Sequence, residues 1–155
     1  MPNEIEHKFL VNKGLWAGVS PEKTVFIRQV YLLTEPEISI RIRTKDNEGF
    51  ITIKGKSQGP VRREYEYPIP LKDANELIEK SSATLIEKKR HIVYYKNMKW
   101  EVDEFLGTNS GLILCEIELE SEDQQYEKPE WIDKEVTDDM RYYNSVLSVN
   151  PYSKW

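Results

Sequence analysis

Alternation with a period of two limits what this chain can fold into more than any other feature of its sequence. From Asn3 to Val11, Glu4, Glu6 and Lys8 fall on one face of an extended segment, and Ile5, His7 and Phe9 on the other. The same pattern returns over residues 24–33, 37–44, 50–56, 62–67, 85–95, 99–106 and 112–121. Pro36, the polar stretch 45–49 and the stretch Gly55 to Pro60 separate the earlier runs with turn residues. Helical spacing is confined to Lys72–Lys80, with Asp73 as its candidate N-cap, and to a C-terminal segment from Thr137 to Val149. Thr137 would cap the second helix, and Asp138 and Asp139 would complement its positive end. About eight consecutive strands with one or two helices make a mainly β (α+β) fold: a closed antiparallel barrel or a pair of packed sheets.

The chain has 155 residues, with no linker, repeat or low-complexity tract, so residues 1–155 are expected to form one domain. Lysines and arginines number 22 against 27 acids, a net charge of −5. That balance argues against a general nucleic-acid binder, whose affinity rests on phosphate neutralisation. Apolar runs such as Leu112-Ile113-Leu114 are far too short to span a bilayer. One cysteine, Cys115, excludes an internal disulfide and suits a reducing compartment. Met1-Pro2-Asn3-Glu4 brings an acid where a secretory signal would be basic, so a cytoplasmic location is expected.

The informative chemistry lies opposite the apolar stripe. Glu4/Glu6, Glu64/Glu66, Glu116/Glu118/Glu120 and Arg41/Arg43 are ladders of like charge two residues apart, joined by Lys8, Lys54, Lys88/Arg90 and Glu101/Asp103. Any one ladder reads as the wet side of a half-buried sheet. Together they call for partners of opposite sign, because like charges adjacent on a sheet repel. A divalent cation such as Mg²⁺ or Mn²⁺ suits the carboxylates, and a polyphosphate suits the Lys and Arg groups. A barrel with a charged interior would hold both. No phosphate-cradling glycine loop of the P-loop type is present.

These residues resemble a known family. Glu4-Ile5-Glu6-His7-Lys8-Phe9 fits the N-terminal signature of the triphosphate tunnel metalloenzymes, or CYTH superfamily, in its short bacterial type. Gln29-Val30-Tyr31-Leu32, Ser39-Ile40-Arg41-Ile42-Arg43, Thr52-Ile53-Lys54-Gly55, Arg63-Glu64-Tyr65-Glu66, Lys88-Lys89-Arg90, Trp100 to Phe105 and Glu116-Ile117-Glu118 follow in the family's order, as do the C-terminal stretches around Glu135 and Arg141. His7, Val30 and Asp138 depart from the common pattern without touching either ladder.

The resemblance implies an eight-stranded tunnel with flanking helices, including a C-terminal one, and divalent-metal-dependent hydrolysis of a triphosphate. Inorganic tripolyphosphate, cleaved to pyrophosphate and orthophosphate, is the leading substrate. A class IV-type adenylate cyclase, a nucleoside or thiamine triphosphatase, and a non-catalytic polyphosphate-binding module are the alternatives. It implies Glu4, Glu6, Glu116 and Glu118 as ligands of Mg²⁺ or Mn²⁺, with Glu64, Glu66 and Asp103 as second choices, for which a salt bridge stands as an equal reading. It implies Lys8, Arg41, Arg43, Lys54, Lys88 and Arg90 as the phosphate-binding set. Lys8, Tyr31 and Glu6 become the catalytic candidates, Tyr31 being equally readable as a packing aromatic. A homodimer is compatible with the family. Glu101, Glu120, Lys56 and Arg62 are expected to be structural or surface charges, and His7 and Cys115 to be packed.

Overall fold

The computed structural model describes residues 3–155; Met1 and Pro2, used in the N-terminal reading, lie outside the described residues. Among the described residues nine strands follow one another: β1 (Asn3–Val11), β2 (Lys23–Thr34), β3 (Ile38–Lys45), β4 (Glu48–Gly55), β5 (Val61–Ile69), β6 (Ile86–Tyr95), β7 (Met98–Phe105), β8 (Ile113–Glu118) and β9 (Ile132–Glu135). The helices α1 (Lys13–Trp16), α2 (Leu71–Lys80) and α3 (Asn144–Leu147) are short. Every strand pairing is antiparallel.

The sheet runs β5-β4-β3-β2-β6-β7-β8-β1, and β1 returns to β5, closing an eight-stranded barrel. Closure is brief, from Asn3↔Arg63 to Ile5↔Val61. Beyond it the same edge of β1 is taken by β9, through Phe9↔Glu135 and Val11↔Ile132. This ninth strand is an addition to the eight runs in the sequence; four residues are too few for alternation to register.

Local chemistry fixes the hairpins. Lys96 and Asn97 between β6 and β7 both have positive φ, as a two-residue turn that matches strand twist requires. Gly49 lies so close to α2 that a Cβ would meet Ala74 Cβ at 2.8 Å. That approach lets Ala74 and Ile78 pack on Val30 and Ile42, on the outer face of the barrel.

Helix α2 begins one residue before the expected span, with Pro70 at the cap position and no side-chain cap bond. Asp73 is therefore not the N-cap; it sits in the first turn, where its charge still complements the helix end. The expected helix over Thr137–Val149 is also corrected. Met140–Tyr142 form a 3-10 turn, Tyr143 is extended, and only Asn144–Leu147 are α-helical. Thr137 does not cap a helix: its hydroxyl donates to Glu135 Oε2 and accepts from the Lys8 backbone N–H. The segment is a strap laid across one end of the barrel.

Two apolar masses bracket the barrel wall. Outside, Phe9, Trp100, Cys115, Ile117 and Trp131 form a buried cluster over β1, β7 and β8. His7 and Cys115 are on this side, as expected; His7 bonds Tyr126 and Cys115 is buried and free. At one end of the interior, Ile86, Phe105, Leu112 and Leu114 continue the inward-facing parity of the charged ladders and pack against Val136, Tyr142 and Leu147 of the strap. Each such fully buried side chain contributes about 1.5–3 kcal/mol relative to exposure. The barrel is thus stoppered at the strap end and polar beyond it.

Candidate active site

A cavity of about 260 Å³ occupies the polar part of the barrel. Its walls are the ladders anticipated from alternation: Glu4, Glu6 and Lys8 from β1, Arg41 and Arg43 from β3, Lys54 from β4, Glu64 and Glu66 from β5, Lys88 and Arg90 from β6, and Glu116 and Glu118 from β8, with Tyr31 from β2. Asp103 is the exception. It lies below the cavity surface, fully buried, taking two bonds from Arg90 (Nε to Oδ1 2.8 Å, Nη2 to Oδ2 2.9 Å) and an ion pair from Lys88 at 2.7 Å. Burial would raise its carboxyl, but Arg90 and Lys88 outweigh that and bring it down to about 2. Asp103 is an anchor for cations.

Several lining residues lay outside the sequence-derived set. Lys45 continues the Arg41/Arg43 face, Lys99 and Glu101 the Asp103 face, and Arg62 the Glu64 face. One more step of two along each strand finds them. Glu101 takes a 3.5 Å contact from Arg90, and Arg62 lies over the Tyr143 ring at 5.7 Å, so neither is a plain surface charge. Thr137, Tyr143, Asn144 and Ser145 come from the strap, a segment whose helical spacing gave no sign that it faces the cavity. Glu120 and Lys56 are exposed, as expected.

The carboxylates crowd at one side. Lys54 Nζ bonds Glu4 Oε1 at 2.9 Å and lies 3.3 Å from Glu64. Lys8 Nζ is 3.9 Å from Glu116 and donates to the Tyr142 carbonyl at 3.3 Å. Burial is overcome at Glu4 by Lys54, which holds the carboxyl below its usual value. At Glu116 burial is overcome by Lys8, with help from Glu6, Arg90 and Lys88, and the carboxyl falls well below. At Glu6 the balance goes the other way: burial first, then the charges of Glu116 and Glu4, push it well above the carboxylate range, and Lys54 opposes them without prevailing.

The cationic wall has the converse imbalance. Arg41 donates to Thr52 at 3.0 Å and approaches Glu66 at 3.5 Å, yet its buried Nε has no partner. Among the described residues Arg43 bonds only the neutral Gln29 Oε1, at 2.7 Å. Burial, with Arg41 and Arg90 nearby, pushes Arg43 down to about 9. Lys88 is pushed down to about 7 by burial; Asp103 opposes, and Arg90 and Arg43 add to the fall.

Among the described residues, no group of three or more His, Cys, Asp or Glu is already drawn together tightly enough to hold a metal ion. The donor set nevertheless fits a hard cation. Glu4 and Glu116 are turned onto lysines, and Glu6 stands among like charges that an added cation would relieve. Tyr31 shares the cavity with Lys8, and no hydrogen bond joins the two among the described residues. No helix of the described residues is long and apolar enough to cross a membrane.

The chain can be compared with known proteins on this geometry. It is 44% identical to an inorganic triphosphatase of Acetivibrio thermocellus, over 100% of this chain and 99% of that protein. It is 35% identical to an inorganic triphosphatase of Nitrosomonas europaea, over 95% and 97% of the two chains. A crystal structure of an inorganic triphosphatase superposes with a TM-score of 0.66 at 34% identity, covering 94% of each chain. The CYTH domain model matches residues 2–145. With a closed eight-stranded barrel, a charged interior and these relatives in hand, the chain belongs to the CYTH domain, or triphosphate tunnel, family.

Proposed function

We propose that this protein is a divalent-metal-dependent triphosphatase that hydrolyses inorganic tripolyphosphate to pyrophosphate and orthophosphate. One observation carries the reading: the buried Arg43 guanidinium meets only a neutral side chain among the described residues and the buried Arg41 Nε meets none, across a cavity from Glu6, a buried carboxyl crowded by Glu116 and Glu4. A linear triphosphate complexed to a divalent ion supplies both. Two curated relatives covering nearly the whole chain, both inorganic triphosphatases, support the same substrate.

In this reading Arg41, Arg43, Lys54, Lys88, Arg90 and Lys8 bind the phosphate oxygens. Residues two apart on a strand are about 6.6 Å apart, so each pair addresses different phosphates of an extended chain. Mg²⁺ or Mn²⁺, held by Glu4, Glu6, Glu116 and Glu118 with Glu64 and Glu66 behind them, would supply positive charge at the reacting phosphate. Lys8 shares its strand face with Glu4 and Glu6, and Lys8, Tyr31 and Glu6 act at the reacting end. Lys8 stabilises charge on the phosphoryl oxygens, Tyr31 orients the attacking water, and the Glu6 carboxylate would hold the cation and that water in place. Asp103 keeps Arg90 and Lys88 aimed inward. The remaining parts of the proposal are a single domain over residues 1–155, a cytoplasmic setting consistent with the free Cys115, and a homodimer.

The test is phosphate release from tripolyphosphate, ATP, pyrophosphate and thiamine triphosphate, with Mg²⁺ and with Mn²⁺. Tripolyphosphate should be cleaved fastest. A higher rate on ATP or thiamine triphosphate, or cyclic AMP as product, would replace this reading with another member of the fold.

A further inference from the structure

The strap contributes three consecutive residues to the basic end of the cavity. The Tyr142 carbonyl accepts from Lys8 Nζ at 3.3 Å, the Tyr143 ring lies 5.1 Å from the same ammonium, and Asn144 Oδ1 accepts from Lys88 Nζ at 2.9 Å. Asn144 Oδ1 also accepts from Gln29 Nε2 at 2.9 Å.

The direction of that carboxamide is fixed by its neighbours. Arg43 Nε can only donate, so Gln29 must present Oε1 to it and turn Nε2 away. Gln29 Nε2 can in turn only donate, so Asn144 must meet it with Oδ1, and Lys88 Nζ donates to that same oxygen. The order Arg43 to Gln29 to Asn144, met from the other side by Lys88, leaves one orientation. The Asn144 amide nitrogen is the end of this chain of bonds. Asn144 lines the cavity, and among the described residues its Nδ2 donates to nothing.

We propose that Asn144 is a substrate-positioning residue of the tunnel floor, with its Nδ2 N–H donating to the innermost phosphate of the bound triphosphate. The inference rests on the triphosphatase reading and adds a neutral donor from outside the barrel strands. An amide suits this place because it gives Lys88 and Gln29 an acceptor while offering the anion a donor. Because the apolar stopper of Leu114, Phe105 and Leu147 closes the interior at the strap end, the phosphate held there is a chain end.

The experiment compares wild type with Asn144→Asp, by titration calorimetry with tripolyphosphate, by KM and kcat, and by thermal unfolding. Aspartate has the same shape and keeps the acceptor for Lys88 and Gln29, so Tm should stay at or above wild type. It replaces the N–H by an anionic oxygen, so Kd and KM for tripolyphosphate should rise at least about tenfold, since a bond to a charged group is lost. Asn144→Ala removes both functions and should lower Tm as well as affinity. Wild-type Kd and KM in Asn144→Asp overturn the proposal, as does a loss of affinity confined to variants whose Tm falls. Absence of tripolyphosphate binding by the wild-type protein overturns the substrate reading itself along with this one.

Discussion

Lys88 Nζ stands 2.7 Å from Asp103 Oδ2 with both side chains almost wholly buried, and Arg90 grips the same carboxylate through two nitrogens. One anion therefore neutralises two cations that face a phosphate-sized cavity. Removing that anion leaves Arg90 without its buried counter-ion and takes from Lys88 the charge that opposes the fall of its amine.

Asp103→Asn should therefore be costly to the fold. Breaking a buried pair from one side typically costs about 3–5 kcal/mol, which for a chain of this size lowers Tm by on the order of 10 °C. Adding Lys88→Met should recover part of the loss. A shift of under about 2 °C in differential scanning calorimetry would show that Asp103 is not the anchor described.

Glu6 should behave in the opposite way. Its carboxyl is raised in the folded state by burial and by Glu116 and Glu4, so the folded protein holds a proton that the unfolded chain releases first. Stability from this group is fully present below the unfolded carboxylate value and is lost as pH rises through the folded one. Glu6→Gln should raise Tm at neutral pH in the presence of a chelator, while cutting turnover at least about 100-fold, since a neutral amide is a poor ligand for a hard cation. Glu116→Gln should lose turnover equally but without the gain in Tm. Full wild-type activity in excess EDTA would remove the metal from the scheme.

Triphosphate binding should take up a proton through Lys88. Its amine, brought down to about 7, is largely neutral at pH 8, and a bound polyanion pulls it back to the charged form. Calorimetry at pH 8 in two buffers of different ionisation enthalpy should reveal an uptake that Lys88→Met lacks. Equal proton linkage in the two proteins would place the depressed amine elsewhere.

Arg43 offers a separation of stability from affinity. Its charge is buried against a neutral partner and lowered to about 9, so Arg43→Met should preserve or raise Tm while KM for tripolyphosphate rises about 10- to 100-fold, as expected for bonds to a charged group. Pyrophosphate spans fewer of the basic positions and should be cleaved poorly by the wild type. A pyrophosphate rate matching tripolyphosphate at equal free metal would contradict the extended binding mode.

Strand parity made the barrel and most of its lining readable from sequence. Once Glu4, Glu6 and Lys8 are known to share a face, each inward residue on the neighbouring strands follows from steps of two. Stopping a step early hid Lys45, and setting Glu101 and Arg62 aside as structural or surface charges broke ladders that Asp103 and Glu64 had already defined. The strap was illegible for a different reason. Tyr143 is extended and Asn144 opens a helix of one turn, and their partners Gln29, Lys88 and Lys8 lie far away in sequence. The Thr137–Val149 helix failed because Thr137 and Tyr142 answer to Lys8 rather than to their own segment. Asp103 read equally as a second-choice ligand and as a salt bridge, because spacing places a carboxylate on a face without revealing how deep it sits.

The brief seam between β1 and β5 bears on how the protein comes into being. Hairpins such as β6–β7 zip outward from their own turns, whereas Asn3↔Arg63 joins residues about sixty apart and Lys8↔Glu116 over a hundred apart. Such distant pairings form late, because the chain must lose the freedom of the intervening loop before they return anything. The strand bearing Glu4, Glu6 and Lys8 is therefore the latch of the barrel, and catalysis waits on it. A refolding chain regains most of its backbone structure as inert hairpins, then becomes an enzyme in the single step that fastens its first strand to its last ones.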